Sequence, residues 1–284
     1  MLVGIFVVIS ALFSVGVSAV SGAFGDLSWL WVLPLSLLGC FVLLVLLWFA
    51  MMVLMAKKVD LDQTQEKDDP IYRKVIDLTI GALLILLRIK IHTAGTEQLP
   101  ASGRFLLVCN HLHDTDPVVL LRVFRKSKLA FISKRENDAK FIIGPFLRKI
   151  LCQPINREND REALKTILRC IQLIKKDEVS IGVFPEGYVS RDRLLHPFRG
   201  GVFKIAQKAN VPIVVCTLRN THHIYANMKK LKPTEVTLHL VGVIPAEELQ
   251  GRTAVDIAAQ AHEMMARDLG PDLVLQEPEA GENT

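Results

Sequence analysis

His111 and Asp116 stand five residues apart in Asn110-His111-Leu112-His113-Asp114-Thr115-Asp116-Pro117, directly after an apolar run. An imidazole titrates near neutrality, so His111 can take a proton from an alcohol. A carboxylate on its other ring nitrogen would fix the tautomer and stabilise the imidazolium. The spacing constrains the backbone. On a straight helix the two residues would point about 140° apart, at about 100° per residue. They face each other only across a loop or a helix entry. Asp116 before Pro117 offers such an entry, as an N-cap followed by a proline at the first helical position. The competing reading makes Asp116 a helix cap only and His111 a loop residue with its bonds satisfied. A third reading takes His111, His113, Asp114 and Asp116 as metal ligands. It needs further ligands downstream, and neither His196 nor His222-His223 stands in a ligand pattern. The expected metal set is therefore none.

Two further pieces lie at the edges of later apolar runs, Phe184-Pro185-Glu186-Gly187 and Val211-Pro212-Ile213. From residue 100 the chain alternates between short apolar runs and helical stripes. Strands are expected at Phe105–Cys109, Leu129–Ser133, Val179–Phe184, Val211–Leu218 and Glu235–Val243. Helices are expected at Pro117–Arg125, Phe141–Ile150, Arg161–Lys176, Gly201–Ala209 and Val255–Leu269. Alternation of this kind predicts an α/β domain with a mixed β-sheet flanked by helices, its chemistry in loops at strand ends.

The first 56 residues are of another kind. They hold one charged side chain, Asp26, and no Lys or Arg. Met1–Val20 and Trp29–Met55 are each long enough to span a hydrocarbon core, which takes roughly 20 helical residues. Ser21–Ser28 between them reads as a turn. This predicts an N-terminal hydrophobic helical hairpin, with Trp29 and Trp31 at an interfacial belt. A shallow re-entrant hairpin is the competing reading. No positive n-region marks a signal peptide. Lys57-Lys58 after the second stretch place that end, and the catalytic domain, on the cytoplasmic side of a membrane.

Chain organisation then reads as a membrane hairpin over 1–56, a linker and amphipathic helix over 57–91, a catalytic domain over 92–275 and a polar tail over 276–284. Within 57–91, Lys57–Pro70 is the linker, and Ile71–Ile91 is a helix leading into a strand. The whole chain has 34 Lys+Arg and 29 Asp+Glu. Beyond the hairpin, the 34 bases face 28 acids, a formal +6 that suits a phospholipid bilayer surface as partner. No dense basic run with interleaved aromatics exists, so nucleic acid is not expected as a partner. Five widely spaced cysteines, without a C-x-x-C pair, predict reduced thiols and a reducing compartment.

Taken in order, four blocks resemble the glycerophospholipid acyltransferases, above all the lysophosphatidate acyltransferases. The first is Asn110-His111 with Asp116-Pro117. The second is Gly144-Pro145 and then Pro154-Ile155-Asn156-Arg157, with Lys134 and Glu136 upstream. The third is Phe184-Pro185-Glu186-Gly187-Tyr188-Val189-Ser190-Arg191, followed by Phe198-Arg199-Gly200-Gly201. The fourth is Val211-Pro212-Ile213. The resemblance runs from residue 80 to residue 245 and implies a glycerolphosphate-acyltransferase-like fold.

It implies an enzyme that moves a fatty acyl group from an acyl thioester to the free hydroxyl of 1-acyl-glycerol-3-phosphate, forming phosphatidic acid. The donor, acyl-CoA or acyl-carrier protein, is a co-substrate, and no resident cofactor is expected. His111 is then the general base and Asp116 its partner. Arg157 and the Glu186-Gly187 loop bind the membrane lipid acceptor, together with Ser190, Arg191, Arg199 and Lys134. A guanidinium suits phosphate oxygens bidentately. The chain departs from the family at Tyr188, where Thr is usual, and Val189, where Arg is usual. Those departures keep two alternatives open: an acyltransferase for another lysophospholipid, and a catalytically silent lipid-binding protein of the same fold.

Overall fold

A computed structural model describes residues 1–61, 63–156 and 158–275. The chain begins with α1 (Leu2–Val20) and α2 (Trp29–Lys57), two helices long and apolar enough to cross a membrane by length and composition. Ser10, Ser14 and Ser18 fall four residues apart and are buried, on a helix that packs along α2. Small side chains let apolar helices approach closely. Ser14 Oγ donates to the Leu33 carbonyl, and Ser36 Oγ donates to Ser14 Oγ at 2.9 Å, which pairs hydroxyls inside the hairpin.

Helix α3 (Pro70–Leu86) takes in Pro70, a residue expected in the linker. Asp69 is the N-cap, its carboxylate accepting from the Ile71 and Tyr72 amides, and Pro70 opens the helix. Arg73 on α3 pairs with Asp68 at 2.6 Å and donates to the carbonyls of Leu129 and Ile150. Glu66 pairs with Arg169 and Lys176. The segment expected as a linker is thus bonded to the domain behind it.

Seven strands form one sheet: β1 (Ile89–Ala94), β2 (Leu106–Cys109), β3 (Leu129–Lys134), β4 (Gln153–Ile155), β5 (Ser180–Val183), β6 (Ile213–Arg219) and β7 (Thr234–Ile244). Their order is β1-β7-β6-β2-β5-β3-β4. Every neighbouring pair is parallel except β6 and β7. This is the expected mixed α/β sheet. Central strands β2 and β5 are buried at every position, as continuous apolar runs demand when helices cover both faces.

The intervening helices are α4 (Asp116–Val123), α5 (Arg135–Asp138), α6 (Ile143–Lys149), α7 (Asp160–Lys175), α8 (Lys204–Ala209), α9 (Ile224–Lys229) and α10 (Ala254–Leu269). Asn159 caps α7, and Thr253 with Asp256 forms a capping box on α10.

Three boundaries differ from expectation. The domain division at residue 92 falls inside β1, whose Ile89–Ala94 pairs with β7, so the sheet begins at Ile89. The hairpin runs through Lys57 rather than ending at 56. Gly200–Phe203 winds as a tight 3-10 turn, leaving only Lys204–Ala209 as α-helix. The tail expected over 276–284 lies outside the described residues.

Candidate active site

Strands β2, β3, β5 and β6 all run the same way, so their carboxyl ends share one edge of the sheet. His111 follows β2, Lys134 ends β3, and Phe184-Pro185-Glu186-Gly187 follows β5. Ligands in open α/β sheets bind at such an edge.

His111 Nδ1 lies 2.9 Å from Asp116 Oδ2, with the imidazole 14% exposed and the carboxylate fully buried. The same oxygen accepts the backbone amides of Leu112 at 2.7 Å and His113 at 2.8 Å. Asp116 is therefore not the N-cap. Thr115 holds that position, and Asp116 is already helical. Its side chain turns back onto the loop and accepts from that loop rather than from the helix amides. An Nδ1–H donated to Asp116 leaves Nε2 as the basic atom. The imidazole stacks on Phe184, ring centres 4.0 Å apart and planes 15° apart, and Phe184 in turn stacks on Phe131. Asn110 fixes the other side of the loop: its side chain both accepts from and donates to the Leu218 backbone of β6.

Glu186 makes local bonds. It is 1% exposed, and its two oxygens accept the backbone amides of His111 at 2.9 Å and His196 at 3.1 Å. Its carboxylate thus ties the His111 loop to the loop that carries His196. Burial pushes its carboxyl up to about 7, against the opposing pull of those two amides. Ser190 is likewise buried, its hydroxyl donating to Asp192 and to the Leu194 carbonyl, while its amide donates to the His111 carbonyl. Both residues are bonded to the loop that carries His111, and neither lines either cavity. Gly187 has φ +88°, and a Cβ there would stand 3.0 Å from Arg199 Nε, so glycine answers both a left-handed backbone and a close approach.

His111 opens onto a cavity of about 630 Å³ lined mostly by apolar side chains, among them Leu121, Phe131, Leu147, Ile155 and Ile167. Gly187, Arg199 and Lys134 also line it. A second, polar cavity of about 600 Å³ adjoins it, lined by His113, Lys134, Arg191, Asp192 and His196. Asp114, Lys134, Tyr188 and Val189 line both and mark the junction. His196 pairs with Asp192 at 2.9 Å, and that hydrogen bond holds the Asp192 carboxyl down to about 2. Of the residues expected at the site, His111, Asp116, Lys134, Gly187, Arg191 and Arg199 are gathered here. Arg157 lies outside the described residues. Among the described residues no group of three or more His, Cys, Asp or Glu is assembled as metal ligands. His113 instead bonds Thr115 through Nδ1.

Sequence reasoning gave Phe184 no role beside the imidazole, and nothing in its type or spacing signals one. It also left out α6 and α7, whose apolar faces wall the larger cavity.

Residues 90–219 match the family model described as Acyltransferase. The chain carries an acyltransferase-family domain. Among curated relatives, it is 37% identical over 131 residues to the chloroplastic 1-acyl-sn-glycerol-3-phosphate acyltransferase BAT2 of Brassica napus, covering 46% of this chain and 37% of that one. It is 30% identical over 136 residues to the 1-acyl-sn-glycerol-3-phosphate acyltransferase of Bacillus subtilis, covering 47% and 66%. The match to the probable enzyme of the same name from Mycoplasma pneumoniae is 28% over 169 residues, covering 58% and 62%. The chain thus spans between 37% and 66% of the length of these three relatives. The fold is also that of the 1-acyl-sn-glycerophosphate acyltransferase of Thermotoga maritima, with a TM-score of 0.59 at 18% identity over 81% of this chain and 91% of that one. The acyltransferase domain's model match ends at Arg219, so it takes in His111, Asp116, Glu186 and both cavities' charged residues.

Proposed function

We propose that the chain transfers a fatty acyl group from an acyl thioester, acyl-CoA or acyl-carrier protein, to the free hydroxyl of 1-acyl-glycerol-3-phosphate. The observation that carries this reading is the His111–Asp116 pair at the edge of a large apolar cavity. Nε2 of His111 takes the proton of the acceptor hydroxyl as its oxygen attacks the thioester carbonyl. The tetrahedral intermediate then expels the thiolate, which receives that proton from the imidazolium. Asp116 keeps the ring in one tautomer and offsets its charge while it is protonated. No protein nucleophile and no resident cofactor enter this scheme.

The apolar cavity suits an acyl chain, and the polar one suits an acceptor's phosphate, with Lys134 and Arg191 as donors of charge-assisted bonds. Arg157 is assigned to the same phosphate by family resemblance alone. The hairpin holds the domain at a bilayer, with Lys57 and Lys58 toward the cytoplasm. One observation favours a second reading, an acyltransferase for another lysophospholipid: Tyr188 and Val189 line the cavity junction, so Lys134 is the one cation there among the described residues.

The test is to supply labelled acyl-CoA or acyl-carrier protein with a panel of lysolipids, with and without a chelator. Preferred acylation of lysophosphatidate, unaffected by chelation, supports the first reading. Preference for a zwitterionic lysolipid supports the second, and no product from any pair removes both.

A further inference from the structure

The basic excess of the chain sits in one stretch. Between Asp192 and Glu235 there is no Asp or Glu, while residues 193–234 carry 8 of the 34 Lys+Arg. Everything outside that stretch holds 26 bases against 29 acids. Arg199 and Lys204 line the larger cavity, and Arg219 pairs with Asp268. Lys229, Lys230 and Lys232 do neither. They are exposed and make no ion pair among the described residues. Three exposed apolar side chains stand among them, Tyr225 at 48%, Met228 at 39% and Leu231 at 77%. Tyr225 and Met228 are three residues apart on α9 and so share a face. Leu231 follows in the turn, at a left-handed φ of +52° that leucine rarely adopts. Three bonds hold that turn. Arg88 Nη1 donates to the Leu231 carbonyl at 2.5 Å, the Leu231 amide to the Met228 carbonyl at 3.1 Å, and the Lys232 amide to the Asn227 carbonyl at 2.9 Å. A fixed turn thus presents an apolar side chain outward between lysines.

Position in the fold says what meets this surface. Strand β6 ends at Arg219 on the edge that carries His111, and antiparallel β7 begins at Thr234 on the same edge. Residues 220–233 therefore bridge that edge. Tyr225 packs edge-on against His113 of the active-site loop, ring centres 4.3 Å apart. The end of α3 reaches the same place, since Ile89 pairs with Thr234 and Arg88 holds Leu231. Helix α3 runs back along the hairpin. Its Tyr72 hydroxyl donates to the Met55 carbonyl, and its Thr79, two turns on, accepts from the Trp48 indole at 3.2 Å. Trp48 lies two turns deeper in α2 than Met55, so the Arg88 end of α3 is the end nearer the bilayer. Leu83, Ile85 and Leu86 close to that end are exposed as well. Apolar side chains among unpaired lysines, on the side that faces the bilayer, match anionic headgroups laid over hydrocarbon. An acidic protein would match the lysines too, but it would have to sit where the hairpin places lipid.

We infer that Tyr225, Met228, Lys229, Lys230, Leu231 and Lys232 form a seat for anionic phospholipid headgroups, with the lysines on the headgroup charge and the apolar side chains between the headgroups. The inference rests on the hairpin's place in a bilayer and not on the acyl transfer. It makes the charge of the bilayer, and not the hairpin alone, decide how the His111 edge meets the lipid. A lysine beside an anionic surface shifts such an equilibrium about fivefold, so three shift it about a hundredfold. Salt screens the attraction, the Debye length falling from about 10 Å at 0.1 M to about 3 Å at 1 M.

The test uses the full chain reconstituted in two kinds of vesicle, phosphatidylcholine alone and phosphatidylcholine mixed equally with phosphatidylglycerol. A fluorophore is placed on Ala226→Cys, an exposed position of α9, in a Cys40→Ala background, the other four cysteines being buried. A nitroxide carried near the lipid headgroup should quench it in the mixed vesicles and leave it bright in the neutral ones. High salt should abolish the difference, and so should the triple variant Lys229→Gln, Lys230→Gln, Lys232→Gln. Equal quenching in the two vesicles, or quenching unchanged in the triple variant, overturns the inference whether or not the protein proves to be an enzyme. The second arm measures turnover at saturating acyl-CoA. In mixed vesicles the triple variant should fall about tenfold or more below wild type, and in neutral vesicles the two should be equal. A fall of the same size in neutral vesicles assigns the lysines to the donor's phosphates and overturns the inference. A variant that loses rate only with acyl-carrier protein assigns the surface to an acidic protein and overturns it as well. A wild type without turnover on any donor defeats the acyl-transfer reading instead, and the quenching result alone then decides the seat.

Discussion

Glu186 holds His111 by its backbone: the carboxylate accepts the His111 amide at 2.9 Å, and its second oxygen reaches the His196 amide at 3.1 Å. A motif carboxylate that looks like a substrate ligand is a strut between the β2 and β5 loops. Its folded-state carboxyl titrates near 7, above the ordinary value of 4.5. A carboxyl raised on folding contributes stability that is full below about 4.5 and is lost as pH rises through about 7. Glu186→Gln removes this titration and one of the two acceptors. An unpaired buried amide costs about 1–3 kcal/mol. Denaturant midpoints in detergent at pH 5 and pH 8 should fall further across that interval for wild type than for the variant. Equal falls would remove Glu186 as the titrating group.

His111→Ala should lower kcat by about 10²–10⁴, the usual worth of a general base, with the fold intact. Asp116→Asn should be nearly as damaging. An amide oxygen in the place of Oδ2 can still accept the Leu112 and His113 amides and the His111 Nδ1–H, but the neutral amide no longer offsets the charge of the imidazolium. Since Thr115 and not Asp116 is the N-cap, the thermal midpoint should stay near wild type. A variant that is equally active but less stable would leave Asp116 a structural role only.

Gly187→Ala places a methyl 3.0 Å from Arg199 Nε at a φ of +88°. The left-handed backbone alone costs an L-residue about 1–2 kcal/mol. Stability should drop by at least that amount, and the Arg199 side chain must shift to admit the methyl. Gly187→Ala combined with Arg199→Ala relieves the contact but not the backbone. The double variant should therefore recover part of the stability, and full recovery would show that the backbone is unstrained.

Arg191 lines the polar cavity and Val189 its junction with the apolar one. Arg191→Ala should raise KM for lysophosphatidate about tenfold or more while leaving KM for the acyl donor near wild type, since ground-state binding is what it removes. Arg157→Ala should act the same way. Val189→Arg should leave activity unchanged or improve it. If these changes leave lysophosphatidate kinetics untouched, the acceptor has a different headgroup.

The sequence by itself determined the two apolar helices, the alternation that builds the sheet, and the four motif blocks. Each is a local signal: a run of hydrocarbon, a period, or a short string at a strand end. Asp69 with Pro70 starts α3, one residue before the expected Ile71, because capping is decided within one turn. Tertiary structure decided the rest. Whether Asp116 would cap its helix or turn back to His111 depended on the path of a six-residue loop, which Asn110 pins to Leu218 on another strand. Glu186 turned inward because two amides from separate loops meet there, 75 and 10 residues away in sequence. The three-residue β4 exists only by pairing with β3 and carries too few residues to show a period. The larger cavity arises where apolar side chains of α6 and α7 face the end of the sheet. In the sequence those residues look the same as core, since burial is a property of what packs against a side chain and not of the side chain itself.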